Sequence, residues 1–294
     1  MIKNPFLKAK LVEVLFYASL NWGGHRAIMT STLNSHPIAL KYLVPALTHF
    51  YIEVEQTGAS SQFYDKFSNR NIAYLFRAIW DNAVHREALK NETRNNMEKF
   101  VRFVNLMIND VTYLMDESLS ELTKIHEIQT EMEDAATFNS KPVQYRRERE
   151  GALRSLERHA SGYVQLGNST VGMLKAFTGE TKEPFMVPEI VDRLAAMLDY
   201  NLDALAGPKC QDLKVKNPEK YKFNPRQLLS DLLRVYLNLS DQGEFARAIA
   251  GDGRSYRKEL FERAAGIAKK RLLLNDTEIE KLLMFVVKVE ETKA

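Results

Sequence analysis

Apolar positions recur at steps of three and four along most of this chain, and that period predicts helices. Ile72, Leu75, Phe76, Ile79, Trp80 and Ala83 form one such stripe, with Ser68 placed to cap its start. Leu153, Leu156, Ala160 and Tyr163 form a second, followed by Met173, Leu174 and Phe177. Leu228, Leu229, Leu232, Leu233, Tyr236 and Leu237 make another. Near the end, Ile279, Leu282, Leu283, Phe285, Val286 and Val289 follow Asn275 and Asp276. Met97 to Met115 differs from these. Phe100, Val101, Phe103, Val104, Leu106, Met107, Ile108 and Val111 cover most of its circumference, the mark of a central helix packed on several sides. No alternating run bounded by turn signals predicts a strand. The expected fold class is all-α. Layers of antiparallel helices suggest an elongated armadillo- or HEAT-like α-solenoid, although no clean period near 40 residues is visible.

The punctuation agrees with this reading. The chain has only nine prolines and thirteen glycines in 294 residues. Asn4-Pro5, His36-Pro37, Lys141-Pro142, Val187-Pro188, Asn217-Pro218 and Asn224-Pro225 each precede a helical pattern. Proline suits the first helical position because its missing N–H would be unpaired there anyway, and asparagine is a good N-cap. Gly207-Pro208 reads as a helix stop. Pro45 sits inside an apolar run and predicts a kink, or a helix start deferred to that point. Loops are expected near 56–62, 136–141, 179–187, 207–223 and 251–254. None demands a boundary, so residues 1–294 are expected to form a single α-helical domain.

Charge narrows the function classes. Lys and Arg number 41 against 38 Asp and Glu, with no clustered basic field of the kind nucleic-acid binders carry. Arg146, Arg147 and Arg149 alternate with Glu148 and Glu150, and Lys269, Lys270 and Arg271 form one short cluster. Both read as solvated helix faces with local ion pairs. No apolar run approaches the roughly 20 residues that span a bilayer. The N-terminus lacks the layout of a signal peptide. Cys210 is the single cysteine, which excludes an internal disulfide or a cysteine-based zinc cluster and fits a reducing compartment. Neither nucleic acid nor membrane is expected as a partner, and cytoplasmic and nuclear localisation is expected.

The most suggestive stretch chemically is LMDESLSELTKIHEIQTEM, residues 114–132. Zinc proteases of the HExxH kind need a second histidine four residues after the first. Position 130 is Thr, so His126 has no such partner. Leu114, Met115, Leu119, Leu122, Ile125, Ile128 and Met132 form one helical stripe, and His126 adjoins its edge. Asp116, Glu117, Glu121, Glu127 and Glu131 fall largely on the polar side. Ser118 and Glu121 have capping-box spacing, which predicts a break or bend near Asp116. Cys210 follows Lys209, but no histidine lies near in sequence to act as its base. Asn21-Trp22-Gly23-Gly24-His25 reads as a turn, without the spacing of a phosphate loop. No catalytic, cofactor-binding or metal-ligating residue is assigned, and no cofactor is expected. Residue chemistry alone describes an interaction scaffold.

Five segments are distinctive in length and composition: NPFLKAKLVEVLF (4–16), FYDKFSNRNIAYLFRAIW (63–80), LMDESLSELTKIHEIQ (114–129), VPEIVDRLAAMLDYNLDALAGPK (187–209) and KYKFNPRQLLSDLLRVYLNLS (220–240). In this order they resemble the core region of the U-box ubiquitin chain-elongation factors, the ubiquitin conjugation factor E4 family. The resemblance implies an armadillo-like scaffold followed in the family by a C-terminal U-box that recruits the charged conjugating enzyme. It further implies chain extension on substrates already carrying ubiquitin, in partnership with an AAA segregase of the valosin-containing-protein type. Neither the U-box nor the family's long N-terminal part is recognised here. The expectation is therefore a segment that meets ubiquitin or ubiquitinated substrate but is inactive alone. The competing expectation is a stand-alone α-solenoid adaptor with no tie to ubiquitin.

Overall fold

The computed structural model describes residues 2–20, 28–55 and 62–293, and their side chains except at 55 and 62–70. The helices are α1 (Pro5–Ala18), α2 (Ile28–Leu33), α3 (Pro37–Glu55), α4 (Gln62–Ile79), α5 (Ala83–Asn95), α6 (Met97–Glu133), α7 (Ala135–Ser140), α8 (Val143–Glu180), α9 (Pro188–Ala206), α10 (Pro225–Leu239), α11 (Gly243–Gly251), α12 (Lys258–Lys270) and α13 (Asp276–Lys293). Short 3-10 turns lie at Glu183–Phe185, Pro208–Leu213 and Pro218–Tyr221. No strand occurs among the described residues, so the chain is all-α with helix packed on helix, as in α-solenoids. The turn expected at residues 21–25 and most of the loop expected at 56–62 lie outside the described residues.

The chain divides into two compact units, Met1–Asn109 with Gly172–Ile190 and Asp110–Val171 with Val191–Ala294. In the first unit α1 packs on α4, and α3 packs on α4 and α5. The Asn4 side chain caps α1 by accepting from Phe6 N at 2.9 Å, as the Asn-Pro reading requires. Pro45 neither starts a helix nor ends one. It lies inside α3, where it removes the N–H that would reach the Lys41 carbonyl. Ser68 is likewise interior, because α4 begins at Gln62. The unit's core is an aromatic cluster. Phe103 meets Tyr51 at 5.0 Å and Phe177 at 5.7 Å between ring centroids, and Phe76 meets Phe177 at 4.9 Å with planes at 88°. Edge-to-face contacts of this kind add to the burial of the rings. His85 is fully buried beneath Leu33, whose carbonyl accepts from Nε2 at 2.8 Å. Burial holds its imidazole below the ordinary pKa, which favours the neutral ring.

In the second unit α13 packs on α10, α11 and α12. Tyr236, Phe245, Phe261 and Phe285 form its aromatic centre, with Phe245 and Phe285 stacked at 5.5 Å. All six apolar positions read on α10 are buried. On α13, Leu283 faces outward at 38% exposure while its stripe-mates are buried. Residue 283 falls between turns of the Ile279, Leu282, Phe285, Val286 face, which is why a plain three-four count overshoots. A Cβ at Gly167 of α8 would lie 3.4 Å from Met115 Sδ and Ser118 Oγ of α6, so this glycine lets the two helices approach closely. Gly207 ends α9 as expected. A Cβ there would collide with the Asp203 carbonyl, to which the Gly207 N–H donates at 2.8 Å.

Phe103 has no solvent exposure and touches three other rings. Phe103→Ala should lower unfolding free energy by about 3–5 kcal/mol, measured by urea denaturation. A loss under roughly 1 kcal/mol would show that the aromatic cluster does not carry the first unit.

Candidate functional site

Residues 114–132 make up the C-terminal half of α6 without interruption. The break expected near Asp116 is absent. Ser118 Oγ bonds back to the Leu114 carbonyl, one turn behind, instead of capping a new start. Leu114, Met115, Leu119, Leu122, Ile125 and Ile128 are all buried, so the stripe is core. The carboxylates diverge. Asp116 lies 3.5 Å from the Tyr200 hydroxyl. Glu131 accepts from the Tyr145 hydroxyl at 2.6 Å and from Arg149 at 2.7 Å, and these bonds hold its carboxyl below the usual range. Glu121 is partly buried, which raises its carboxyl despite the neighbouring His159. Among the described residues no three His, Cys, Asp or Glu side chains converge as metal ligands do.

His126 has a defined task. Its Nδ1 donates to the Lys214 carbonyl at 2.7 Å. That bond belongs to a clamp on the 208–223 segment, which sequence reading treats as open loop. Gln129, one turn on, accepts from Lys216 N at 2.7 Å and donates to the Tyr221 hydroxyl at 3.3 Å. Tyr221 donates to Glu157 of α8 at 2.7 Å, and Lys220 pairs with the other Glu157 oxygen at 2.8 Å. Burial pushes the Glu157 carboxyl up, but Lys220 and Tyr221 outweigh it and hold it below its usual value. Asn217 and Lys222 take left-handed φ of 53° and 56°, so the chain turns sharply on either side of Tyr221. These residues orient backbone. Nothing in the clamp presents a nucleophile or an oxyanion hole.

Cys210 sits half-buried in the first 3-10 turn of that segment. Its Sγ lies 3.8 Å from Gln211 Nε2 and 4.0 Å from Arg263 Nη2. Sequence reading missed Arg263, which is 53 positions away. No histidine or carboxylate hydrogen-bonds this thiol among the described residues, so no general base is paired with it.

A second group escaped sequence reading altogether. Asp199 of α9 has no solvent exposure, and the buried Tyr236 hydroxyl donates to its Oδ1 at 2.7 Å. Its Oδ2 and the buried Asp252 Oδ2 find no N–H or hydroxyl donor. The Asp252 carboxylate lies close enough to Asp199 to act on its charge. Burial and Asp252 hold the Asp199 carboxyl well above its ordinary value, against the opposing Tyr236 bond. A carboxyl performs acid–base chemistry only where substrate reaches it, and Asp199 has no solvent exposure.

The described side chains pack the helices within each unit and tie the 207–223 segment to α6 and α8. Comparison with known proteins gives the chain a family. The ubiquitin elongating factor core family matches residues 1–290. This chain belongs to that family. Ubiquitin conjugation factor E4 of Schizosaccharomyces pombe is 48% identical over 290 residues, covering 98% of this chain and 29% of its own length. E4 ubiquitin-protein ligase UFD2 of Saccharomyces cerevisiae is 40% identical over 299 residues, covering 100% of this chain and 31% of its own. A probable ubiquitin conjugation factor E4 of Arabidopsis thaliana is 37% identical over 275 residues. The elongating-factor core seen here thus spans less than a third of these relatives.

The Asp199 carboxyl gives a pH signature with a fixed sign. A carboxyl raised on folding binds its proton more tightly in the native state, so its contribution is complete below the ordinary carboxylate range. That contribution is lost as pH rises through the raised value, with a limiting slope of about 1.4 kcal/mol per pH unit for one proton. Asp199→Asn puts an uncharged amide where the raised carboxyl stands. Unfolding free energy of the variant should change less with pH than that of the parent, the difference growing toward alkaline pH. Parallel pH profiles would show that the Asp199 carboxyl is not raised on folding.

Proposed function

We propose that this chain is the scaffold segment of a ubiquitin ligase that elongates ubiquitin chains on substrates already carrying ubiquitin. The observation that carries the reading is the family match across residues 1–290, in relatives named as ubiquitin conjugation factors and as a ubiquitin-protein ligase. In this reading the chain supplies shape and surfaces. Transfer is promoted by a U-box that docks the charged conjugating enzyme, while the helical body holds ubiquitin or ubiquitinated substrate in reach. An AAA segregase of the valosin-containing-protein type is the proposed working partner, in cytoplasm and nucleus. Ligases that act by positioning form no covalent intermediate and gain rate from orientation. That no histidine or carboxylate hydrogen-bonds Cys210 among the described residues supports this, since a thioester-forming cysteine is commonly activated by a neighbouring base.

The test is discharge of ubiquitin from a loaded conjugating enzyme. It compares this chain alone, the whole S. pombe E4 protein, and a chimera in which this chain replaces the matching 290 residues of that protein. The whole protein and the chimera should accelerate discharge, and the chain alone should not. Cys210→Ala in the chimera should leave the rate within about twofold, the effect of a side chain outside the transition state. Acceleration by the bare chain, or loss of activity on Cys210→Ala, would overturn the scaffold reading.

A further inference from the structure

The N-terminal half of α8 contributes nothing to the core, because no residue from Val143 to His159 is fully buried. Arg147, Arg154 and Arg158 are exposed there, and none has a carboxylate partner among the described residues. Their spacing of seven and four places all three guanidinium groups within about 40° of one another around the helix, along roughly 16 Å of its length. The contrast with their neighbours is clear. Arg149 pairs with Glu131, and Glu157 is taken by Lys220 and Tyr221. Arg154 and Arg158 are like charges one turn apart, an arrangement that destabilises a helix by a few tenths of a kcal/mol.

Gly151 and Gly162 lie on the same face, each one turn beyond an arginine. A Cβ at either would meet nothing within 4 Å. Both are helical, so no backbone conformation requires glycine. Each weakens the helix by about 1 kcal/mol relative to alanine. Gly167 of the same helix shows what a glycine used in packing looks like, with side-chain sulfur and oxygen at 3.4 Å from its Cβ position. Local choices that oppose the fold without an internal gain are expected at functional surfaces.

We propose that this face of α8, Arg147, Arg154 and Arg158 around Gly151 and Gly162, docks an acidic helix of a partner protein. The two glycines let a partner backbone approach closely, while the arginines reach round it to carboxylates at matching seven-four spacing. Phosphate backbones fit less well, because Glu148 and Glu150 flank the stripe and the whole chain carries a formal charge of only +3. A membrane surface fits less well still, because Val143 is the sole large apolar side chain exposed on this face. The proposal stands on these residues whether or not the scaffold reading holds.

The test uses the full chain and fluorescence anisotropy at low and at physiological salt. The probes are a helical peptide with Glu at the seven-four spacing, the same peptide with Gln, duplex DNA, and vesicles containing phosphatidylserine. The Glu peptide should bind, and the Gln peptide should bind at least about tenfold more weakly. Arg147→Gln, Arg154→Gln and Arg158→Gln together should weaken the Glu peptide by a similar factor with the melting temperature unchanged. Gly151→Ala with Gly162→Ala should separate docking from folding. It should raise the melting temperature by about 2–4 °C and yet weaken the peptide. Failure of the Glu peptide to bind would overturn the proposal. So would indifference to either set of substitutions, or equal binding of DNA or vesicles.

Discussion

Continuous burial along α6 is the constraint on which the rest of the structure depends. From Phe100 to Ile128 every turn of this helix places at least one apolar side chain out of water. A helix of that kind is unstable alone and must be covered along its length. Neighbours meet that demand in different ways. Phe177 and Tyr51 pack on Phe103, and Gly167 withdraws its own side chain so that α8 can close on Met115. The same demand explains why Ser118 bonds backward to Leu114. A break there would expose the buried residues on either side of it.

Polar groups that this packing traps are satisfied in ways that tie distant segments together. His126, Gln129 and Glu157 spend their hydrogen-bonding capacity on the 208–223 segment. That segment also buries Leu213, Val215, Tyr221 and Phe223, and these bonds fix the polar backbone between them. Asp199 shows the costlier version. Its carboxylate would be charged and unsolvated, so burial favours the protonated form while the Tyr236 hydroxyl bonds it. That bond joins α9 to α10 within the second unit.

Much of the fold is legible in the sequence because helices announce themselves locally. Five of the six Xaa-Pro signals open α-helices, since proline constrains its own φ wherever it sits. The sixth, Asn217-Pro218, opens a 3-10 turn, with Asn217 in the left-handed region. What the sequence hides is pairing across distance. Nothing near Cys210 points to Arg263, and Asp199 looks like any polar residue of an amphipathic helix until Tyr236 and Asp252 are brought against it. Short-range patterns also mislead where two readings share a spacing. The Ser118–Glu121 pair has the form of a capping box, but burial of the surrounding stripe decides for continuity. The segment expected as loop at 136–141 instead folds as α7, because Asp134 caps it and Phe138 buries beneath it.

Against the buried centre of α6, the outer half of α8 is anomalous. One side of it is held, because Tyr145 and Arg149 bond Glu131 and Glu157 bonds Lys220 and Tyr221. The other side carries three arginines with no carboxylate partner among the described residues, and two helix-weakening glycines with open space before them. A helix held on one side, and left charged and open on the other, is shaped to be completed by another molecule.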